Sequence, residues 1–406
     1  MLRTGHKVVD SVVVGGGPSG IAVLGHLLER DVSTQRHHLW IDPLFRAGRV
    51  DACYRQVPSN TKVELFVKFA TAVAPFRRIV ETTQVPNAFT ALKDLPQDEG
   101  CMLGKAADLC LMLTDGLRIR RDVQSHCGRV AAANLDKRSN LWTVTLDDGK
   151  ESVVTRRLVL CTGSSPVEPL WPVLSSCSPD MSGIHLDTAL NPPLLSETLS
   201  QGVPTTIAVV GASHSAILIL MNIFNLASTT HPNLRVKWFT RQKALSYAVY
   251  KDGWILRDNT GLKGRAAEWA HQNLDDHVFT SSPVSKVVTR FCTPATEEEQ
   301  IYRAEMPGCT HVVQAVGYRP DPLPRLTATD SKEPLDLEHD GLTGRFVSAQ
   351  EPSQYVAGLF GAGIAFPERV TDPLGHQEHA VGFWKFMAFC NRVVPSWIES
   401  TEHITA

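Results

Sequence analysis

The 406-residue sequence predicts an α/β fold of two doubly wound domains, the second inserted in the first. Three observations predict it. An apolar, β-branched run at residues 11–14 leads into Gly15-Gly16-Gly17-Pro18-Ser19-Gly20. A second such run, residues 205–210, leads into Gly211-Ala212-Ser213-His214-Ser215-Ala216. After each turn comes a strand-rich stretch (residues 129–146, then 283–304) and a closing strand ending on glycine, at Thr162-Gly163 and at Val316-Gly317-Tyr318. The repeat of parts implies two bound nucleotides. The expected boundaries are 1–190 for the first part of the outer domain, 191–315 for the inserted domain and 316–406 for the remainder of the outer one.

The first turn carries the fuller signature. Strand, G-x-G-x-x-G and helix follow in the order of a Rossmann dinucleotide site. Gly15 permits the tight turn, Gly17 lets the backbone approach a pyrophosphate, and Gly20 lets helix and strand pack closely. Pro18 and Ser19 open the helix, whose free N–H groups and positive dipole end suit phosphate. Residues 38–41 read as the next strand. It ends at Asp42, about 20 residues past the last glycine, where a carboxylate accepts ribose hydroxyls.

The second turn reads G-x-S-x-x-A. Ser213 gives up some backbone clearance but adds a hydroxyl for phosphate, and Ala216 still allows close packing. His214 and Ser215 open its helix. Residues 235–239 form the next strand, which ends not on an acid but on Thr240-Arg241-Gln242-Lys243. Arg241 can grip a 2′-phosphate with two parallel bonds, with Lys243 as a point charge beside it. That favours NADPH over NADH. The competing reading is a solvated basic loop.

The chain after residue 320 supplies the end of the outer domain. Residues 355–364 give a short strand and a glycine turn at Gly361-Ala362-Gly363. Residues 373–380, including Gln377, are expected to open a C-terminal helix facing a flavin's pyrimidine edge.

Composition excludes several classes. A formal charge of −2, with acids and bases mixed, gives no footprint for nucleic acid or an anionic membrane. Nine cysteines occur without C-x-x-C spacing, so reduced thiols in the cytoplasm are expected. Paired-cysteine redox chemistry is disfavoured on the same ground, and no metal site is expected. No run of about 18 apolar residues occurs, so no membrane span is expected. An aromatic stripe at Phe383, Trp384, Phe386, Phe389 and Trp397 reads as core before it reads as a membrane face.

With these parts in place, the layout resembles the two-dinucleotide flavoproteins, and more narrowly the flavin-containing and N-hydroxylating monooxygenases. The resemblance spans residues 11–385. Its most specific stretch is Tyr54-Arg55-Gln56-Val57-Pro58-Ser59-Asn60-Thr61-Lys62, similar to a Tyr-x-x-Val-x-Ser-Asn segment of flavin-containing monooxygenases. Val316-Gly317-Tyr318 is similar to their Ala-Thr-Gly-Tyr segment. The Phe-x-Gly-x-x-x-His fingerprint of that family is missing, and the chain is shorter than most members.

The resemblance implies FAD on the first turn and NADPH on the second. It puts Asn60 beside the reactive edge of the flavin as the candidate catalytic residue, with a helix cap or turn as its plainer role. Val57, Cys127, Gly163, Gly317, Tyr318 and Gly363 are further expected cofactor contacts. The implied chemistry is hydride transfer from NADPH to FAD. Reaction with molecular oxygen through a C4a-hydroperoxide then oxygenates a small nucleophile such as an amine or sulfide. An NADPH:acceptor oxidoreductase and a non-enzymatic nucleotide-binding protein stay open as alternatives. The expected partners are a small-molecule substrate and oxygen, with a homo-oligomer left open.

Overall fold

A computed structural model describes residues 8–30, 37–147, 149, 151–169, 171–178, 180–331 and 333–402. Among these residues the larger sheet has ten strands and the second has five. The larger sheet is built around Val8–Val14. This strand pairs in parallel with His38–Asp42 on one side and Glu151–Leu160 on the other, and His38–Asp42 pairs in parallel with Val123–Cys127. Burial on both faces explains the unbroken apolar runs of these strands.

On its edge away from Val8–Val14, Glu151–Leu160 serves two further partners. Its first half closes an antiparallel meander with Leu141–Leu146 and Val130–Asp136. Its last residues take Leu359–Gly361 in parallel, after Arg325–Ala328 has already returned the chain to this sheet beside Val130–Asp136.

The second sheet is parallel throughout, in the order Ser182–Gly183, His311–Gln314, Thr205–Val210, Leu234–Thr240, Val288–Cys292. Both domains therefore wind a parallel sheet as the sequence predicts. Two details differ. Ser182–Gly183 already belongs to the second sheet, and Ile184, Leu186 and Leu190 lie in its core. Sheet membership thus moves the expected crossing at 190/191 upstream. The strand-rich stretch expected at 283–304 supplies a single strand, Val288–Cys292, then a helix, Glu298–Glu305. Pro294 ends the extended chain, and acids at Glu298 and Glu299 in the first helical turn favour its positive dipole end. The inserted domain therefore has no meander.

The two crossings between domains run side by side. Ser164–Pro166 pairs antiparallel with Tyr318–Pro320, so one two-stranded ribbon joins the sheets. Ser165 Oγ donates to Asp321 Oδ1 at 2.5 Å, and Asp321 N–H donates to the Gly163 carbonyl at 3.0 Å.

The C-terminal helix, Phe383–Glu399, starts later than the sequence reading places it. Residues 377–380 form a hairpin strand, Gln377–Ala380, against Glu368–Thr371, with Gly375 at φ 85° in the turn. The helix packs Phe383, Met387, Phe389 and Trp397 into the core of the outer domain, alongside Phe66, Phe69 and the Pro18–Arg30 helix, and Phe386 is buried too. The aromatic stripe is core. No described helix is long and apolar enough to cross a membrane.

Candidate functional site

The two glycine turns are built to one plan. Gly15 N–H donates to the Ile41 carbonyl at 2.8 Å, and Gly211 N–H donates to the Phe239 carbonyl at 3.0 Å. A buried indole from the next strand caps each turn: Trp40 Nε1 donates to the Gly15 carbonyl at 2.9 Å, and Trp238 Nε1 to the Gly211 carbonyl at 2.7 Å. Both glycines have positive φ, 115° and 130°. A Cβ on Gly15 would strike the Cys161 carbonyl, and one on Gly211 the Ala315 carbonyl. The closing strand therefore presses on each turn from the same direction.

Gly17 behaves differently. A Cβ there would meet no atom of the protein within 4 Å. Nothing in the protein's own packing requires glycine at this place, so the cleared space faces outward, where a pyrophosphate approaches. Gly20, by contrast, is demanded by the turn itself, since its Cβ would collide with the Gly15 carbonyl. Ser19 Oγ is buried beside the Cys161 thiol, with Gly363 packed against it at φ 99°. An open approach at Gly17, beside the N-terminus of the helix Pro18–Arg30, fits the phosphates of FAD.

At the end of the second strand, the Asp42 carboxylate accepts from Gly16 N–H at 2.6 Å and from Leu44 and Phe45 N–H at 2.9 and 2.6 Å. These bonds fix the carboxylate beside the turn, as ribose recognition needs. Cys127 stands next to it in register, with Arg118 Nη2 3.8 Å from its sulfur. The structure adds Gly48, whose Cβ would lie 3.4 Å from Gly17 Cα, and Arg49, which pairs with Asp187 of the inserted part. Their signal in the sequence is only a Gly-Arg pair in a loop.

The second turn borders a cavity of about 410 Å³ lined by Gly211, Ser213, Arg241, Glu298, Tyr302 and Gly317 among others. Ser213 is the N-cap of the helix His214–Ala227, yet its side chain makes no capping bond. The hydroxyl stays available. A Cβ on Gly317 would meet nothing within 4 Å, as on Gly17. Tyr318 is held by its hydroxyl, which accepts from Tyr54 Oη at 3.3 Å across the domains. Burial, with the Asp187 charge, pushes its phenol up, while the bonds to Tyr54 and Ser215 oppose this. His214 is half-buried. Burial and the nearby Lys263 ammonium lower it to about 4, and its Nε2 accepts from Lys263 N–H at 3.0 Å.

A larger cavity, about 1100 Å³, opens between the domains. Asn60 lines one wall, from the strand Pro58–Lys62. The next helix, Val63–Thr71, is capped at Lys62 without a side-chain bond, so Asn60 is not its N-cap. Gly264 approaches it from the inserted domain: a Cβ there would lie 3.5 Å from Asn60 Cα. The opposite wall carries Gly382 and Phe383, the true start of the C-terminal helix. Lys263 and Lys385 clasp Asp258 at 2.6 and 2.7 Å, joining the two domains at this wall. Burial acts upward on the Asp258 carboxyl, but its two ammonium partners hold it below the usual carboxylate range. Burial and the Lys263 charge lower Lys385. Neither lysine nor Asp258 was singled out by a motif, because their meeting depends on how the domains dock.

Further expected residues have these surroundings. Val57 is buried, and its side chain belongs to the core of the inserted domain. Its N–H donates to the Tyr54 carbonyl and its carbonyl accepts from Leu103 N–H, each at 2.9 Å. Gln377 is exposed on the hairpin strand, away from the helix start. Lys243 is exposed and does not line the second-turn cavity, whereas Arg241 does. Gly163 lies in the crossing ribbon at φ 86°.

No protein-family model matches the chain. It is 48% identical over 392 residues to the monooxygenase AgnR1 of Paecilomyces divaricatus, covering 96% of this chain and 97% of that protein. The chain belongs to this monooxygenase family. Solved structures agree in fold. The cadaverine monooxygenase DfoA of Erwinia amylovora, bound to FAD, superposes with a TM-score of 0.61 at 13% identity, over 98% of this chain and 96% of that one. The ornithine N-hydroxylase KtzI of Kutzneria sp. 744, holding reduced FAD, NADP+ and L-ornithine, gives 0.58 at 12% identity, over 97% and 99%. The shared fold extends over nearly the full length of this chain and of both solved structures.

Proposed function

We propose that the protein is an FAD- and NADPH-dependent monooxygenase that oxygenates a small nucleophile such as an amine or sulfide. The observation that carries the nucleotide assignment is the pair of like turns with unlike strand ends. One presents the Asp42 carboxylate to a ribose; the other presents Arg241 to a phosphate. Membership of a monooxygenase family and the FAD and NADP+ in similarly folded enzymes support the same reading.

FAD supplies the redox chemistry when bound, accepting a hydride from NADPH and activating oxygen once reduced. The chain's own work is placement and exclusion. The Gly15–Gly20 turn holds the pyrophosphate, and the Ser213 hydroxyl with the second helix N-terminus holds that of NADPH. The cavity between the domains brings the reactive ends together, with Asn60 as an amide donor on its wall and the N–H groups at Phe383 facing it. The Asp258 clasp ties the inserted domain to that helix and so sets the depth of the cleft.

Rapid mixing tests the proposal. NADPH should bleach the flavin anaerobically. Oxygen should then restore its absorbance in two phases, with hydrogen peroxide released only in the slow second one. Single-phase reoxidation with immediate peroxide, unchanged across a panel of amines and sulfides, would favour transfer to another electron acceptor.

A further inference from the structure

Arg241 is already engaged. Its Nε donates to Glu298 Oε1 at 3.2 Å and its Nη2 to Glu298 Oε2 at 3.1 Å. This is the two-bond geometry that a 2′-phosphate would need from the same guanidinium. The two partners differ in freedom. The Arg241 side chain is 65% exposed, whereas that of Glu298 is 16% exposed. Glu298 is anchored by Tyr302, whose Oη donates to Oε1 at 2.8 Å. Tyr302 is itself buried, edge-on to Phe239 with ring centroids 5.4 Å apart. All three residues face the cavity beside Gly211 and Ser213. The neighbouring acid, Glu299, only makes an exposed pair with Arg303 one helical turn on.

We propose that Glu298 is a specificity-determining residue that works against the 2′-phosphate and narrows the preference for NADPH over NADH. This rests on the proposed NADPH site at the second turn. When a 2′-phosphate arrives, Arg241 must leave Glu298. Tyr302 keeps the carboxylate in place, facing the incoming dianion. A 2′-hydroxyl brings no such conflict, and a carboxylate accepts from it readily. The second turn thus carries the cation of an NADPH site and, opposite it, the acid of an NADH site.

The test uses adenosine 2′,5′-bisphosphate and 5′-AMP as probes, titrated calorimetrically into the FAD-loaded protein. Glu298→Gln keeps the shape and an acceptor for Tyr302. It should tighten the bisphosphate about tenfold, the scale of one charge-assisted pair, and leave 5′-AMP within about twofold. Tyr302→Phe frees the carboxylate without removing it and should tighten the bisphosphate by a smaller factor. In turnover, Glu298→Gln should widen the ratio of kcat/KM for NADPH over NADH by a similar factor. Arg241→Ala separates the two levels of the argument. If it weakens the bisphosphate while Glu298→Gln leaves it unchanged or weaker, Glu298 is only a structural partner and the inference fails alone. If Arg241→Ala does not weaken the bisphosphate, the 2′-phosphate site itself is misplaced and both fail.

Discussion

The two glycine turns share their backbone and differ in their chemistry. In each, a positive-φ glycine lies under the closing strand, and a tryptophan from the second strand caps its carbonyl. Those features form the scaffold, and both halves keep them. Gly20 against Ala216 is a difference of packing, whereas two differences sit where a ligand would be: Gly17 against Ser213, and Asp42 against a strand end that passes through Thr240 to Arg241. The fold thus needs one set of residues at each turn, and the choice of nucleotide is made by another set a few ångströms away. The Cβ test separates the sets, because Gly15 and Gly211 have no room inside the protein while Gly17 has open space.

The largest effects should come from the first turn. Gly15→Ala forces a side chain onto the Cys161 carbonyl in a left-handed backbone and should destabilise by about 3 kcal/mol or more, seen as a lower Tm with or without flavin. Gly17→Asp should leave far-ultraviolet dichroism unchanged and yet abolish FAD retention, because a carboxylate would stand against the pyrophosphate. A folded, fully yellow Gly17→Asp protein would remove this turn from the account.

Next in size, Arg241→Ala should raise the KM for NADPH about tenfold and leave that for NADH nearly unchanged. Equal losses for both nucleotides would mean that Arg241 does not read the 2′-phosphate.

A titration compares the halves from beneath. Burial lowers His26, in the first turn's helix, and His214, which opens the second helix, to about 4. Both folded-state values lie below the unfolded value near 6.5, so the unfolded chain binds more protons in between. Stability from these groups is complete above pH 6.5 and is lost as the pH falls towards 4. His26→Gln and His214→Gln should each flatten the fall of Tm over that window. The smallest effect belongs to Ser213→Gly, which should weaken NADPH binding by a few-fold and leave FAD content unchanged.

Legibility in the sequence followed the same division. The first turn was readable because each glycine answers a separate geometric demand and Asp42 falls at the required distance. The second was readable despite Ser213 and Ala216, since the strand before it and the helix after it are strongly apolar. The meander expected at residues 283–304 from the repeat of parts is absent because Pro294 and the acidic run from Glu297 to Glu299 are helix-start signals. Gln377 was misplaced for a related reason. Asp372 accepts from Leu374 and His376 N–H, which makes a tight turn, and residues 377–380 then alternate exposed and buried, a strand's period. Asn60 was legible only through resemblance, and the structure adds its place on the wall of the cleft. Glu298, Asp258 and Lys385 were beyond reach, since each acquires its meaning from a partner that only the folded chain brings close.

Anaerobic titration of the purified protein with NADPH, followed by visible absorbance, tests the central claim most directly. Two turns holding two different nucleotides predict one FAD per chain, bleached by about one equivalent of NADPH, with NADH needing a higher concentration. A protein that purifies without flavin, or whose bound flavin neither nucleotide reduces, would contradict the account.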